Sequence, residues 1–330
     1  MSQVTEARLI RRAGQSLLAV VFLSVAFAGV IAPNDPEQRY DDHLYAPPTL
    51  VRVWDAGLSR PFIYRQQLIS RIERRFEDDH RHKVPLRWMT AGRLVTTSES
   101  PLLLLGADSY GRDIFSRVVH GGRISLTLAL LAALWAVAVG SILGGIAGYA
   151  GGWLDTVISK SSEFLLVLPT MYVVLVLRAV LPLVLDAGTV FVLLTLIFTA
   201  LGWPIVARGT RAIVASERER EYIEAARAVG AQPARVLLKH LLPSASKYLL
   251  TQLTLLITAF ILAEATLSYV GFGFPSDTAT WGTMLRDASN VLLVADLPWL
   301  LAPAVAIFLT VLAINLLVQA TGRPPVQLEG

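Results

Sequence analysis

The chain has 330 residues, of which 54% are apolar and only 16% charged, with a mean hydropathy of +0.55. Soluble domains carry roughly a quarter charged residues, so a simple soluble enzyme is excluded. The net charge of +4 comes from 29 basic against 25 acidic residues without a dense basic block, which argues against a nucleic-acid partner. The chain contains no cysteine, which removes disulfides, thiolate metal sites, iron–sulfur clusters and a cysteine nucleophile.

Six apolar stretches approach or exceed the roughly 20 residues needed to cross a bilayer. The first covers residues 13–34 and follows Arg8, Arg11 and Arg12. Ala26-Phe27-Ala28 imitates a signal-peptide cleavage site, but the run is long for a signal peptide and five more follow, so it is read as an uncleaved anchor. In the segment that follows, Leu68, Ile72 and Phe76 recur every four residues, with Arg74 and Arg75 four residues before Asp78 and Asp79. That spacing predicts a short amphipathic helix with ion pairs, resting on lipid, touching a partner, or solvating its polar face. His80 and His82 lack further metal ligands nearby and are read as solvated.

The second span, 124–149, carries Gly140, Gly144 and Gly148. A glycine every fourth residue lies on one helix face and admits a close neighbour; lining of a pathway is the alternative. The third, 164–185, holds Pro169, Pro182 and Arg178, and the fourth, 189–207, holds Gly202 and Pro204. Proline in a membrane helix implies packing partners for the freed carbonyl. The loop 208–247 contains Ser216-Glu217-Arg218-Glu219, a capping-box pattern that predicts a helix start. That helix runs to Gly230, suited to a left-handed stop. Gln232-Pro233 starts a second one, which Pro243 ends. Ile223, Ala226 and Val229 or Gly230 form a shallow apolar stripe, facing a partner's groove or the chain's own membrane domain. The fifth span, 248–274, has one carboxylate, Glu264, and the sixth, 297–320, begins at Pro298 and Pro303.

An even number of spans puts both termini on one side. The N-terminus, the Lys160 loop, the loop 208–247 and the tail hold thirteen Lys or Arg, against Arg286 alone in the two shorter opposite loops. The termini are therefore expected to be cytoplasmic. The long first loop resists this with fourteen basic residues, Arg112, Arg117 and Arg123 among them, beside twelve acidic ones. Long loops translocate largely regardless of charge. No phosphate-binding loop, zinc-binding His-Glu-x-x-His or nucleophile elbow occurs. Intramembrane ionisable groups are limited to Arg178 and Glu264, a weak basis for ion coupling.

Glu224-Ala225-Ala226, then Gly230 three residues on, then Leu241-Leu242-Pro243, resembles the EAA loop of permease subunits in binding-protein-dependent ABC importers. Leu105 to Arg117 (LGADSYGRDIFSR), Gly121-Gly122-Arg123-Ile124-Ser125, Ala147 to Asp155 (AGYAGGWLD), Glu264 to Gly273 (EATLSYVGFG) and Trp281-Gly282-Thr283-Met284-Leu285 resemble the C-type permease of the dipeptide, oligopeptide and nickel importers. Ala107 stands where that family usually has threonine, His240 occupies the isoleucine position of the general EAA pattern, and Arg178 is an unusual charge.

The resemblance implies an all-α membrane protein of six transmembrane helices, a type I ABC importer transmembrane domain with a cytoplasmic coupling helix. Its parts would be residues 1–33 (cytoplasmic N-terminus and first helix), 34–122 (extracytoplasmic, with an interfacial helix), 123–320 (core, with coupling loop 208–247) and 321–330 (cytoplasmic tail). The implied function is passage of short peptides or a related solute such as a nickel chelate, glutathione or peptide antibiotic. An ATP-independent secondary transporter or channel is the alternative. The implied partners are a second permease, two ATP-binding subunits that carry the ATP and Mg, and an extracytoplasmic solute-binding protein, in a plasma membrane. No catalytic, cofactor or metal residue is expected here. Tyr222, Glu224, Ala225, Ala226 and Gly230 would dock the ATPase. Gly111, Arg112 and Asp113 would form a gate or an Arg–Asp bracket fixing the start of span two. Glu264 and Arg178, as a candidate pair, would lie near the path.

Overall fold

A computed structural model describes residues 3–54, 58–70, 74–180, 182 and 185–322. Among these, five helices are long and apolar enough to cross a membrane, Leu9–Ala26, Ile114–Ala150, Ala187–Glu217, Ser246–Val270 and Pro298–Val318. The pair Gly152–Val167 and Met171–Leu177, bent by 88°, makes a sixth where the two are counted as one broken span. In chain order the elements begin with α1 (Gln3–Ala26) and α2 (Ala28–Ile31). The strands β1 (Arg52–Trp54), β2 (Leu58–Ser70), β3 (Arg75–Pro85), β4 (Arg87–Thr90) and β5 (Arg93–Thr96) follow. Then come α3 (Ile114–Ala150), α4 (Gly152–Val167), α5 (Thr170–Val180), α6 (Ala187–Glu217), α7 (Glu221–Ala228), α8 (Pro233–Val236), α9 (Leu242–Ser244), α10 (Ser246–Val270), α11 (Trp281–Leu285), α12 (Val291–Asp296) and α13 (Ala302–Gly322).

Four expectations are corrected. The first span does not reach Asn34: Ala32 is extended because the α region is closed to a residue before proline, here Pro33. The third span is not continuous, since Leu168 is extended ahead of Pro169 for the same reason. No amphipathic helix occupies 68–76. Leu68 and Phe76 face each other across the β2–β3 pairing, and Ile72 lies outside the described residues. A spacing of four is even, so it marks one face of a strand as well as of a helix. The helical ion pairs are accordingly absent among the described residues: Arg75 pairs with Glu77 at 2.9 Å, Asp78 with Arg52 at 3.7 Å and Asp79 with His82 at 2.7 Å. Lastly, Ser216 does not start a helix, because α6 runs through it to Glu217. Val214, one turn earlier, is fully buried beside Ile223, Val236 and Leu241, and that burial holds the turn helical.

The chain divides into two compact units, Met1–Ser125 with Ala265–Gly330, and Leu126–Glu264. In the first, α1 packs along α13, where a Cβ on Gly14 would meet Leu316 Cβ at 2.9 Å. A three-stranded antiparallel sheet β1-β2-β3 and the hairpin β4-β5 enclose Ile63, Val84 and Leu102, with Leu86 and Val95 against them. The indole of Trp281 is buried and donates to the Val118 carbonyl at 2.9 Å.

In the second unit the glycine ladder packs on α6. A Cβ on Gly140 would lie 2.6 Å from the Trp203 carbonyl oxygen, one on Gly144 2.8 Å from Ala207 Cα, and one on Gly148 2.6 Å from the Arg211 carbonyl oxygen. Helix packing is therefore the ladder's use. Phe198 and Phe260 stack with centroids 5.0 Å apart, and the Tyr248 hydroxyl donates to the Ile205 carbonyl at 2.8 Å.

Candidate functional site

The loop after α6 is built around one buried side chain. Ile223, in the first turn of α7, is fully buried and packs with Val214, Val236 and Leu241, and with Tyr149, Ala231 and Leu237 at the margin. It anchors α7 to its own unit. The expected stripe of Ile223, Ala226 and Val229 is thus split: Val229 is 90% exposed and Tyr222 45% exposed, while Ala226 is half-buried and Ala225 open. Tyr222, Ala225 and Val229, at spacings of three and four, form the outward face. Glu224 is exposed. The Tyr222 hydroxyl donates to Glu217 at 3.0 Å, and partial burial together with the Glu217 charge raises its pKa.

The helix ends as expected. Gly230 has φ +85°, its amide donates to the Arg227 carbonyl at 2.9 Å, and the Ala231 amide donates to the Ala226 carbonyl at 3.1 Å. These are the two bonds of a Schellman stop. Gln232 caps α8 with Pro233 in its first turn, as expected, but Pro243 does not end the element. A π turn, Leu237–Leu241, absorbs it, and Pro243 sits in the first turn of α9, where a missing amide costs nothing.

Three arginines tie this loop to the α3–α4 corner. Arg218 Nη1 donates to the carbonyls of Gly148 at 3.1 Å and Tyr149 at 3.5 Å, and Arg227 lies over the Tyr149 ring at 4.9 Å. Arg211 grips Asp155 with two bonds, one of them at 2.6 Å. Sequence reading missed Arg211, Arg218 and Arg227. Their arginine types were visible, but not their partners, which lie more than fifty residues away.

The segment before α3 is a buried polar cluster. Gly111 has φ +71°, and a Cβ there would meet the Tyr40 carbonyl carbon at 2.9 Å, so only glycine fits. Arg112 does not pair with Asp113 directly, each having its own partners at the start of α3. Arg112 Nε donates to Asp108 at 2.7 Å and its guanidinium covers the Tyr110 ring at 4.6 Å. Asp113 has no exposed surface and accepts from Asn34 Nδ2 at 2.9 Å, from Ser116 Oγ at 2.5 Å and from the Phe115 amide at 3.1 Å. It caps α3 and binds it to the end of the first span. Burial pushes its pKa up to about 6, against the pull of Ser116 and Asn34. The Tyr40 hydroxyl, whose pKa burial raises to about 12, donates to Asn34 Oδ1 at 3.3 Å.

Arg117 donates to the Pro36 carbonyl at 3.0 Å and lies 3.7 Å from Asp108. Arg123 donates to the last carbonyls of α1, Val25 at 2.9 Å and Ala26 at 2.7 Å. Arg112, Arg117 and Arg123, three of the basic residues that resisted the charge bias, are therefore fasteners within their own unit, the first two of them buried. Asp287, raised in pKa mainly by burial, accepts from Ser109 Oγ at 2.9 Å.

Two further motifs meet in the first unit. A Cβ on Gly282 would lie 2.6 Å from Ser268 Cβ and 2.7 Å from Ala265 Cα, and Arg286 donates to the Ser268 carbonyl at 2.9 Å. Glu264 is fully buried in α10. Arg178 lies on α5, and its side chain is outside the described residues, so the expected pair with Glu264 is outside them too.

Residues 140–323, covering the ladder, the α6–α10 loop and the last span, match the family described as binding-protein-dependent transport system inner membrane component. The dipeptide transport system permease protein DppC of Bacillus subtilis is 38% identical over 213 residues, 64% of each chain. The oligopeptide transport system permease protein OppC of the same organism is 36% identical over 211 residues, 64% of this chain and 67% of the relative. OppC of Lactococcus lactis is 31% identical over 221 residues, 67% of this chain and 74% of the relative. The chain belongs to the permease family of the dipeptide and oligopeptide ABC importers. As such a permease it is a multi-pass membrane protein, and its helical spans are those of a type I ABC importer membrane domain. The β1–β5 strands lie outside the residues that the family model matches.

Proposed function

We propose that this permease is one of two homologous subunits forming the path of an ATP-driven importer of short peptides. ATP and Mg would be held by two separate ATPase subunits, with the solute delivered by an extracytoplasmic binding protein. The permease lies in the plasma membrane with both termini and the loop 208–247 in the cytoplasm, in keeping with the thirteen basic residues on that side. The peptide class is supported by the names of DppC and OppC.

The observation that carries the reading is the form of α7. It is fixed from behind by Ile223, and in front it offers the small Ala225 between Tyr222 and Val229. A rigid helix with a shallow face suits seating in a partner's groove and transmitting its displacement. Glu224 and Gly230 stand at the rim and the stop of that face. For residues 111–113 the saturated, buried bonding of Arg112 and Asp113 supports a structural bracket over a moving gate. Glu264 and Arg178 are proposed to lie near the path.

Co-purification in mild detergent tests the docking. Ala225→Asp places a charge on the exposed face without touching the Ile223 anchor. It is expected to lower retention of the ATPase subunits at least tenfold while the permease itself still inserts. Undiminished retention and normal peptide uptake would refute the assignment.

A further inference from the structure

The hairpin β4–β5 has no counterpart in the function proposed above, and its surface is unusual for a segment facing water. It turns through Ala91 and Gly92, at φ +55° and +75°, with Thr90 opposite Arg93, a two-residue hairpin turn of the type that suits twisted strands. Val95 points into the sheet core. Trp88, opposite Val95 and on the same side of the hairpin, is nevertheless 57% exposed, and Met89 and Leu94 are 76% and 42% exposed. Leaving three large apolar side chains bare on four-residue strands is costly in water.

The hairpin's position explains them. Strand β5 packs against α2, and Arg93 Nη1 donates to the Pro33 carbonyl at 2.8 Å, fastening the hairpin beside the end of the first span. On that span and its continuation Val20, Phe22, Leu23, Phe27 and Val30 are likewise exposed. Leu9–Ala26 is long and apolar enough to cross a membrane, so this surface suits lipid. The hairpin and its bare residues are therefore fastened beside a surface that suits lipid.

We infer that the β4–β5 hairpin is a membrane-surface anchor. Trp88, Met89 and Leu94 sit in the bilayer interface at the α2 end of the first span, with Arg87 among the headgroups. Tryptophan favours this zone because its ring is apolar and its N–H is wet, and arginine can bury its stem while its charge stays at the phosphates. The occupant is lipid because the hairpin is fastened at the end of a helix that can cross a membrane. A protein seated on it would have to displace lipid from the first span.

The absence of native cysteine makes the test direct. The full chain with Met89→Cys, carrying a single nitroxide, is reconstituted into vesicles of phosphatidylethanolamine and phosphatidylglycerol. Collision rates with oxygen, which enters lipid, and with a water-soluble nickel chelate are then compared. Glu99→Cys, on an exposed polar stretch of the same unit, is the water-side reference. The oxygen-to-nickel ratio is expected to be several-fold higher at position 89 than at 99. Equal ratios overturn the inference, as does shielding of position 89 from both reagents, which would mean a protein cover. Should the cysteine variant misfold, brominated lipid decides the matter: it is expected to quench the fluorescence of the full chain more than that of Trp88→Phe, and equal quenching overturns the anchor.

Discussion

The glycine ladder gives the sharpest test of how α3 and α6 hold together. In Gly144→Ala the new methyl carbon would sit 2.8 Å from both Cα and C of Ala207, and closer still to its carbonyl oxygen. Carbon atoms in contact settle at about 3.5–4.0 Å, so the two helices must part by roughly 1 Å there. The obstacle is backbone, which no rotamer change relieves. Parting them also loosens the contacts of Gly140 and Gly148 on either side. Overpacking costs about 1–3 kcal/mol, and a backbone clash belongs at the upper end, while alanine returns about 1 kcal/mol of helix propensity. The expected net loss is about 2 kcal/mol. Thermal unfolding in a single detergent reads it, with Gly145→Ala as the comparison. That neighbour would meet the terminal methyls of Leu237 and Leu242, at 3.1 Å, which can turn aside, so with the same gain in helix propensity it is expected to melt no lower than the parent. If Gly144→Ala melts at or above the parent temperature, or Gly145→Ala falls as far, the ladder is not the close-packing seam argued for here.

Ile223→Ala removes the one fully buried side chain of α7 and is expected to cost about 2–4 kcal/mol locally. Amide exchange over Glu221–Ala228 should accelerate while α3 and α6 stay protected; unchanged protection of α7 would show that something other than Ile223 holds it. A pH effect follows from Asp113. Its folded-state pKa of about 6 lies above the ordinary 3.8, so its contribution to stability is complete below the ordinary value and is lost as pH rises through about 6, by roughly 3 kcal/mol in all. Asp287 shifts in the same direction, so the informative quantity is the difference between the parent and Asp113→Asn. Detergent-phase melting of the parent should fall relative to the variant between roughly pH 4 and 7, and parallel profiles would contradict burial as the dominant influence on this carboxyl.

The spans were legible because hydrocarbon length and backbone satisfaction constrain membrane helices more than anything else does. The ladder was legible too, since glycine every fourth residue has few other uses in a lipid-facing helix. The helix breaks at Ala32 and Leu168 were encoded next door, in Pro33 and Pro169, but a hydropathy window averages over them. The stretch from Leu68 to Phe76 was ambiguous in principle, its even spacing serving a strand as well as a helix, and partner strands decided it. The pattern at Ser216 was a genuine local signal overruled by burial of Val214. Of the candidate site, the helix stop at Gly230 could be read from type and position. The outward face could not, because Ile223 and Val229 are chemically alike and only the packing of Val236 and Leu241 tells inside from outside. The partners of Arg117, Arg123 and Arg218 are long-range bonds to carbonyls, on which residue type is silent.

Those long-range bonds bear on the docking proposed for α7. Movement of α7 alone changes nothing unless the loop behind it is stiff in the direction of the push. Here Ile223 and Tyr149 share one apolar cluster, Arg227 lies on the Tyr149 ring, and Arg218 holds the last carbonyls of α3. One turn further on, the chain reverses through Gly151 and Gly152, at φ +65° and +60°, conformations that cost glycine little. Asp155 of α4 is then clamped to Arg211 of α6. The ends of α3, α4, α6 and α7 are thus fastened at one corner, by one cluster and three arginines. A load applied to the Tyr222–Val229 face by an ATPase subunit would reach α3, α4 and α6 together, and the α4–α5 break at Leu168–Pro169 is the nearest point in the chain where that motion can be taken up by a change of direction.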